Sequence, residues 1–269
     1  MAPPGWWSRR NLAVGAYVLR GLAALLVVEL ALRILLPVPL FLPALRHGPA
    51  GARIMMLGRV RHDAFALSGK ALDPELGWTN PPGATYVEGT TTHATSQHLR
   101  GTRLYPLEKP PGVTRIEVFG DSFAFGSEVD DDSCYAAQLE KRLPSTEVLD
   151  FGVPGYGLDQ ALLRFRKEGP AYHPDVVVIG YVSTLPARDS EPFTFFYKPY
   201  FVLRGGQLVL LGTPVPGFAE GMKAYAHSSR LVDVWRMLRY SGRADEALER
   251  ALLAEFVTEI RAAGARPVL

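Results

Sequence analysis

Residues 115–129 read RIEVFGDSFAFGSEV, an apolar run that ends in Gly120-Asp121-Ser122 and a second small-residue turn. A serine at a strand-to-loop junction becomes a nucleophile when a base takes its proton, and its backbone N–H can donate to the oxyanion of an acyl-transfer intermediate. About thirty residues later DFGVPGYG supplies a glycine loop around Gly155, and PDVVVIGY forms a third apolar run. Open parallel sheets bind ligands beyond the carboxyl ends of their strands, where loops and helix N-termini present free N–H groups. Three such junctions together would make a site; Gly-Asp-Ser alone is more often a turn.

The elements that would position this chemistry follow an α/β rhythm. Strands are expected at 114–120, 146–152 and 175–181, with helices at about 132–143 and 158–168 between them. Strands alternating with helices of this length imply right-handed crossovers and a parallel sheet. An insertion, 186–227, interrupts the rhythm; within it Gly205-Gly206 between two apolar runs signals a hairpin. A helix at about 242–263 places Ala247, Ala251, Phe256 and Ile260 with Leu248 and Leu252 on a broad apolar face, and Gly264 can cap it. ARPVL then reads as the start of a fourth strand. Upstream, residues 73–112 are dense in Gly, Pro, Thr and Asn, and read as short strands and turns.

VFGDSFAFG, DFGVPGYG and PDVVVIGY resemble, in sequence, spacing and strand placement, the SGNH/GDSL family of serine esterases and acyl hydrolases. DPELGWTNPPG, SQHLRG and ELALR look like a bacterial, membrane-anchored branch of it. The resemblance covers roughly residues 73–269 and implies a three-layer α/β/α, flavodoxin-like domain. It implies Ser122 as nucleophile, Asp121 as its supporting acidic neighbour, and the Ser122 and Gly155 backbone N–H groups as oxyanion donors. Gly126 and Gly152 read as turn glycines. The substrate class implied is an ester or O-acylated compound, such as a polysaccharide or lipid, and no metal or organic cofactor is implied.

Two departures from the family pattern bear on catalysis. Where the family has an asparagine after the third strand, this chain has GYVSTLPARD, so Ser183 or Thr184 would have to donate instead. Loss of one oxyanion donor costs about 3 kcal/mol of transition-state stabilisation. The family's late Asp-x-x-His is also missing, and none of His47, His62, His93, His98, His173 and His227 replaces it. His93 and His98 read as solvated loop residues, and His173 as lying at the far end of its strand. Without a histidine Ser122 lacks its general base. The domain is therefore expected to continue past Leu269, its C-terminal part missing from this sequence. Two competing functions stay open: an O-acetyltransferase of cell-surface polysaccharide, and a non-catalytic carbohydrate- or lipid-binding module.

Composition narrows the partners. The net charge of +2 and the lack of a basic, aromatic-interleaved element argue against nucleic acid. The first 61 residues hold eight arginines against Glu29 alone. Between Asn11 and Leu45 the chain is apolar apart from Arg20, Glu29 and Arg33, and Leu12–Leu32 meets the length of about 20 residues that a bilayer requires. A single membrane anchor is expected, with Trp6 and Trp7 at the interface and the domain extracytoplasmic by resemblance. Each internal charge would cost about 3 kcal/mol at the membrane centre unless paired. The organisation expected is thus 1–45 tail and anchor, 46–112 connecting segment, and 113–269 main domain. Cys134, the sole cysteine, reads as a small buried hydrophobe. Asp130, Asp131 and Asp132 read as helix-capping charge rather than a metal site. The aromatics of EPFTFFYKPYF read as a pocket lining or insertion packing.

Overall fold

The computed structural model describes residues 6–35, 71–87, 90–182, 188–189, 192, 197–240 and 245–269. Helix α1 (Trp6–Leu35) comes first. Two small antiparallel pairs follow, β1 (Leu72–Asp73) with β2 (Gly77–Trp78) and β3 (Gly83–Val87) with β4 (Thr90–Ala94). The main domain runs β5 (Thr114–Phe119), one-turn helix α2 (Ser122–Phe125), α3 (Tyr135–Arg142), β6 (Thr146–Asp150), α4 (Leu158–Glu168) and β7 (Val176–Ile179). The insertion contributes the hairpin β8 (Tyr200–Arg204) and β9 (Gln207–Leu211), then α5 (Phe218–His227) and α6 (Arg230–Tyr240). Helix α7 (Glu246–Ala262) and β10 (Arg266–Val268) end the chain.

Strands β10-β7-β5-β6 form one parallel sheet in that order. Helices cover both faces: Ile116, Val118 and Val148 make one face apolar, while the other mixes Phe119 and Leu149 with the buried charges of Arg115, Glu117 and Glu147. Along β5, Ile116 and Val118 join a cluster with Val148, Ala124 and Ala136 of the α2 and α3 side, while Phe119 joins the larger cluster under α4 and α7. In that larger core Phe119 stacks on Phe151 at 4.6 Å and meets Phe165 edge-on at 5.5 Å. Helix α7 contributes Leu248, Leu252, Phe256 and Ile260, one residue every four. Its buried stripe is narrower than expected, because Ala247 is exposed. The expected fourth strand is β10, paired parallel to β7, and Gly205-Gly206 make the two-residue turn at positive φ that a hairpin of this twist needs.

Three expectations change. The segment Asp131–Ser133 is a 3-10 turn, so α3 starts only at Tyr135. Its carboxylates do not cap that helix. Asp130 accepts from Thr91 N (2.9 Å), Asp131 accepts from His93 N (2.9 Å), and Asp132 pairs with Lys141, so the acidic run ties β4 to the domain. His93 is consequently no solvated loop residue: its Nδ1 stands 2.5 Å from Asp131 Oδ2. Helices α5 and α6 carry no strong signal in sequence, and they define what α1 does. Glu29 accepts from Ser229 Oγ and from the N–H groups of Arg230 and Leu231 at the start of α6, each at 3.0 Å. Arg33 pairs with Glu29 and donates to the carbonyls of Ala226 and Ser228 at the end of α5 (both 2.7 Å). The carboxylate thus compensates one helix dipole and the guanidinium the other. Among the described residues no helix is long and apolar enough to cross a membrane, so the expected spanning anchor is not found. The large apolar side chains of α1, from Leu12 to Leu35, stand outward.

Candidate active site

Three glycines end three neighbouring strands, and α2 rests on them. A Cβ on Gly120 would lie 2.8 Å from Ala124 Cβ, one on Gly152 2.5 Å from Phe125 N, and one on Gly180 3.2 Å from Ala124 Cβ. Real Cβ atoms do not come within 3.0 Å of such neighbours, so Gly120 and Gly152 need glycine for close approach, while a Cβ at Gly180 would make Ala124 give way by a few tenths of an ångström. Gly152, expected as a turn glycine, belongs to this group. The sheet hydrogen bonding continues past the strand ends to hold the junction, with Val153 N donating to Gly120 O (3.0 Å) and Gly180 N to Phe119 O (2.7 Å).

Ser122 is the first residue of α2 and is half-buried. Asp121, the N-cap, accepts from Phe123 N at 2.9 Å, and Gly126 closes the turn in the left-handed region (φ +69°) with its N–H on Ser122 O. The tight turn expected of Gly126 is therefore present. Gly155 is buried at φ +89° in the loop after β6. Residues well upstream brace that loop: Trp78 Nε1 donates to Pro154 O (3.1 Å), Asn80 Nδ2 to Gly152 O (2.8 Å), and Tyr156 Oη to Trp78 O. Ser183 and Thr184 lie outside the described residues.

Two side chains from the loop after β7 close the site, and neither is conspicuous in sequence. Arg188 Nη1 donates to Asp121 Oδ2 (3.1 Å) and to Tyr156 O (3.3 Å), joining the Ser122 turn to the glycine loop. Asp189 is buried and accepts from Leu158 N, the first residue of α4, at 2.5 Å. Burial, and then repulsion from Asp159, pushes its carboxyl up to about 8. Asp159 is itself raised to about 6 by burial, against the pull of its buried partner Lys198. A slot of about 20 Å³ lies between Gly120, Tyr156, Gly180 and Asp189. That is room for a single water.

Among the described residues no base reaches the serine. Among the described residues no side chain hydrogen-bonds the Ser122 hydroxyl. His93 is bound to Asp131, His98 Nδ1 lies 2.7 Å from Asn80 O, and His227 Nδ1 lies 2.7 Å from Lys223 O at the end of α5. His173 precedes β7, at the end opposite the site as expected. His47 and His62 lie outside the described residues. No group of three or more His, Cys, Asp or Glu side chains among the described residues could hold a metal. Cys134 is buried, its thiol donating to Asp131 O. Of the aromatic insertion run, Phe201 packs into the core, and 193–196 lie outside the described residues.

No protein-family model matches this chain, and no curated protein does. Among solved structures it is similar to the esterase AlinE4, described as an SGNH-hydrolase family esterase, at 15% identity and a TM-score of 0.30. Two mutants of that esterase match at 18% and 14% identity with TM-scores of 0.28 and 0.30. Each match covers 59% of this chain and 77% of the other. Likeness at this distance assigns no residue; the roles of Ser122, Asp121 and Gly155 rest on the sequence motifs and the geometry.

Proposed function

We propose that this chain is a serine esterase or acyl hydrolase of SGNH type. Ser122 attacks the carbonyl carbon of an ester as a base outside the described residues takes its hydroxyl proton; that proton passes to the leaving alcohol, and water then releases the acyl group from the serine. The backbone N–H groups of Ser122 and Gly155 hold the oxyanion, and Asp121 with Arg188 keeps the two loops in register. One observation carries this function: Ser122 starts a helical turn seated on the glycine ends of three adjacent strands, the central one included. Helix N-termini at such junctions favour developing negative charge. Hydrolysis of a short-chain p-nitrophenyl ester, lost in Ser122→Ala, is the expected result; turnover unchanged in that variant would refute it.

That no described side chain bonds the Ser122 hydroxyl favours a second function, a non-catalytic module that binds an acylated carbohydrate or lipid. It predicts no turnover and ligand binding that survives Ser122→Ala. The outward apolar side chains of α1, together with the arginine excess of the first 61 residues, support attachment to an anionic lipid surface. Flotation with anionic vesicles, weaker with neutral ones, is the expected outcome.

A further inference from the structure

A second cavity, of about 350 Å³, lies against the edge strand β6, walled by α3 and the segment 100–105. None of the residues lining it lines the slot beside the nucleophile turn. Its volume falls in the range of small-molecule sites and far exceeds the room one water needs. Ala136, Ala137 and Val148 supply apolar wall, and most of the charged groups around it are already engaged. Arg103 pairs with Glu140 and Glu147, Lys141 with Asp132, and Asp131 with His93.

Two buried groups are not fully engaged. Arg100 is 5% exposed; its Nη2 donates to Val129 O (2.8 Å), its Nε lies 3.2 Å from Asp131 Oδ1, its plane covers the Phe125 ring, and Nη1 has no partner. Asp150 is 2% exposed; its Oδ1 accepts from Gly152 N (2.8 Å), and Oδ2 has no partner. Both line the cavity. A buried donor or acceptor left open costs about 1–3 kcal/mol, so two open atoms of opposite kind on one cavity call for a bridging group.

We propose that this cavity binds a neutral, hydroxyl-bearing small molecule of the saccharide class, with hydroxyl oxygen accepting from Arg100 Nη1 and hydroxyl hydrogen donated to Asp150 Oδ2. A hydroxyl both donates and accepts, which is what one open N–H and one open carboxylate oxygen require. A phosphate or carboxylate would meet Arg100, but Arg103 and Lys141 on the same wall are already paired with Glu140, Glu147 and Asp132, and Asp131 and Asp150 would repel it. A metal cation would face Arg100. A neutral ligand also avoids desolvating a new charge. The proposal does not rest on the role assigned to Ser122.

The test is saturation-transfer NMR on the full chain with glucose as probe and glycine as zwitterionic competitor. Glucose is expected to receive saturation from the wild type and from Ser122→Ala. Asp150→Asn keeps the acceptor for Gly152 N but turns the open acceptor into a donor facing Arg100, and should weaken binding about tenfold or more. Ala137→Leu fills the cavity without touching either polar group and should weaken it similarly; it decides the matter if Asp150→Asn fails to fold. No saturation of glucose by the wild type, equal saturation in Ala137→Leu, or displacement of glucose by glycine would each overturn the proposal.

Discussion

Asp121 and Asp131 bracket the segment that carries Ser122, and the two carboxylates serve different regions. Asp121 caps the turn that carries Ser122 and accepts from Arg188. Asp131 faces outward to β4, where it holds His93 and lies beside Arg100. The first region is positioned by backbone meeting backbone across glycines, with no slack for a side chain. The second is positioned by side-chain carboxylates that take the backbone N–H groups of Thr91 and His93, with Asp131 also lying between the His93 ring and the buried Arg100. A carboxylate beside an imidazole has the composition of a catalytic dyad, yet in this protein it is a strap, because its partners belong to β4 and not to the serine. Residue types propose chemistry; only their partners assign it.

Breaking the first region should have the largest effects. Ser122→Ala is expected to lower ester hydrolysis by about a thousandfold or more, with unfolding free energy changed by less than about 0.5 kcal/mol, as measured by kinetics and urea titration. Gly152→Ala should cost about 3 kcal/mol, since its Cβ would stand 2.5 Å from Phe125 N and the backbone must move. A variant of wild-type stability would mean that α2 does not rest on the glycine floor.

The buried carboxylate behind the site gives a pH signature. Asp189 keeps its proton in the folded chain up to about pH 8, whereas in the unfolded chain it loses it near its ordinary value. The folded state therefore binds more protons between these values, and this group's contribution to stability falls as pH rises through that window. Asp189→Asn, which still accepts from Leu158 N, should remove that slope and gain on the order of 2 kcal/mol relative to wild type at pH 8. Parallel stability-pH curves for the two proteins would show that Asp189 is not held protonated.

Breaking the strap should do least. His93→Ala leaves Asp131 with Arg100 and the backbone, and is expected to cost about 1 kcal/mol of stability without slowing hydrolysis. A thousandfold loss of turnover would erase the contrast and make His93 the base.

The sheet was largely legible in sequence because β5, β6 and β7 each lead into a glycine and alternate with helices, and these strands and β10 fall within the expected ranges. The hairpin was legible because Gly205-Gly206 can do little else there. Helices α5 and α6 were not, since their packing partners, Glu29 and Arg33, lie some two hundred residues away in an apolar segment where charge reads as an interruption. At the site, Ser122, Gly155 and Gly126 follow from motif and spacing. Arg188 and Asp189 do not, because their roles depend on which loop the sheet brings beside them. Asn80 and Trp78 were hidden for the same reason: nothing local says that an upstream turn will brace the glycine loop.

Whether Ser122 is a nucleophile or a turn serine decides what this protein does. Treating the protein with a fluorophosphonate and locating the adduct by peptide mass spectrometry tests this directly. Phosphonylation is expected within the peptide carrying Gly120-Asp121-Ser122 and absent from Ser122→Ala; an unmodified Ser122 would contradict a nucleophilic role.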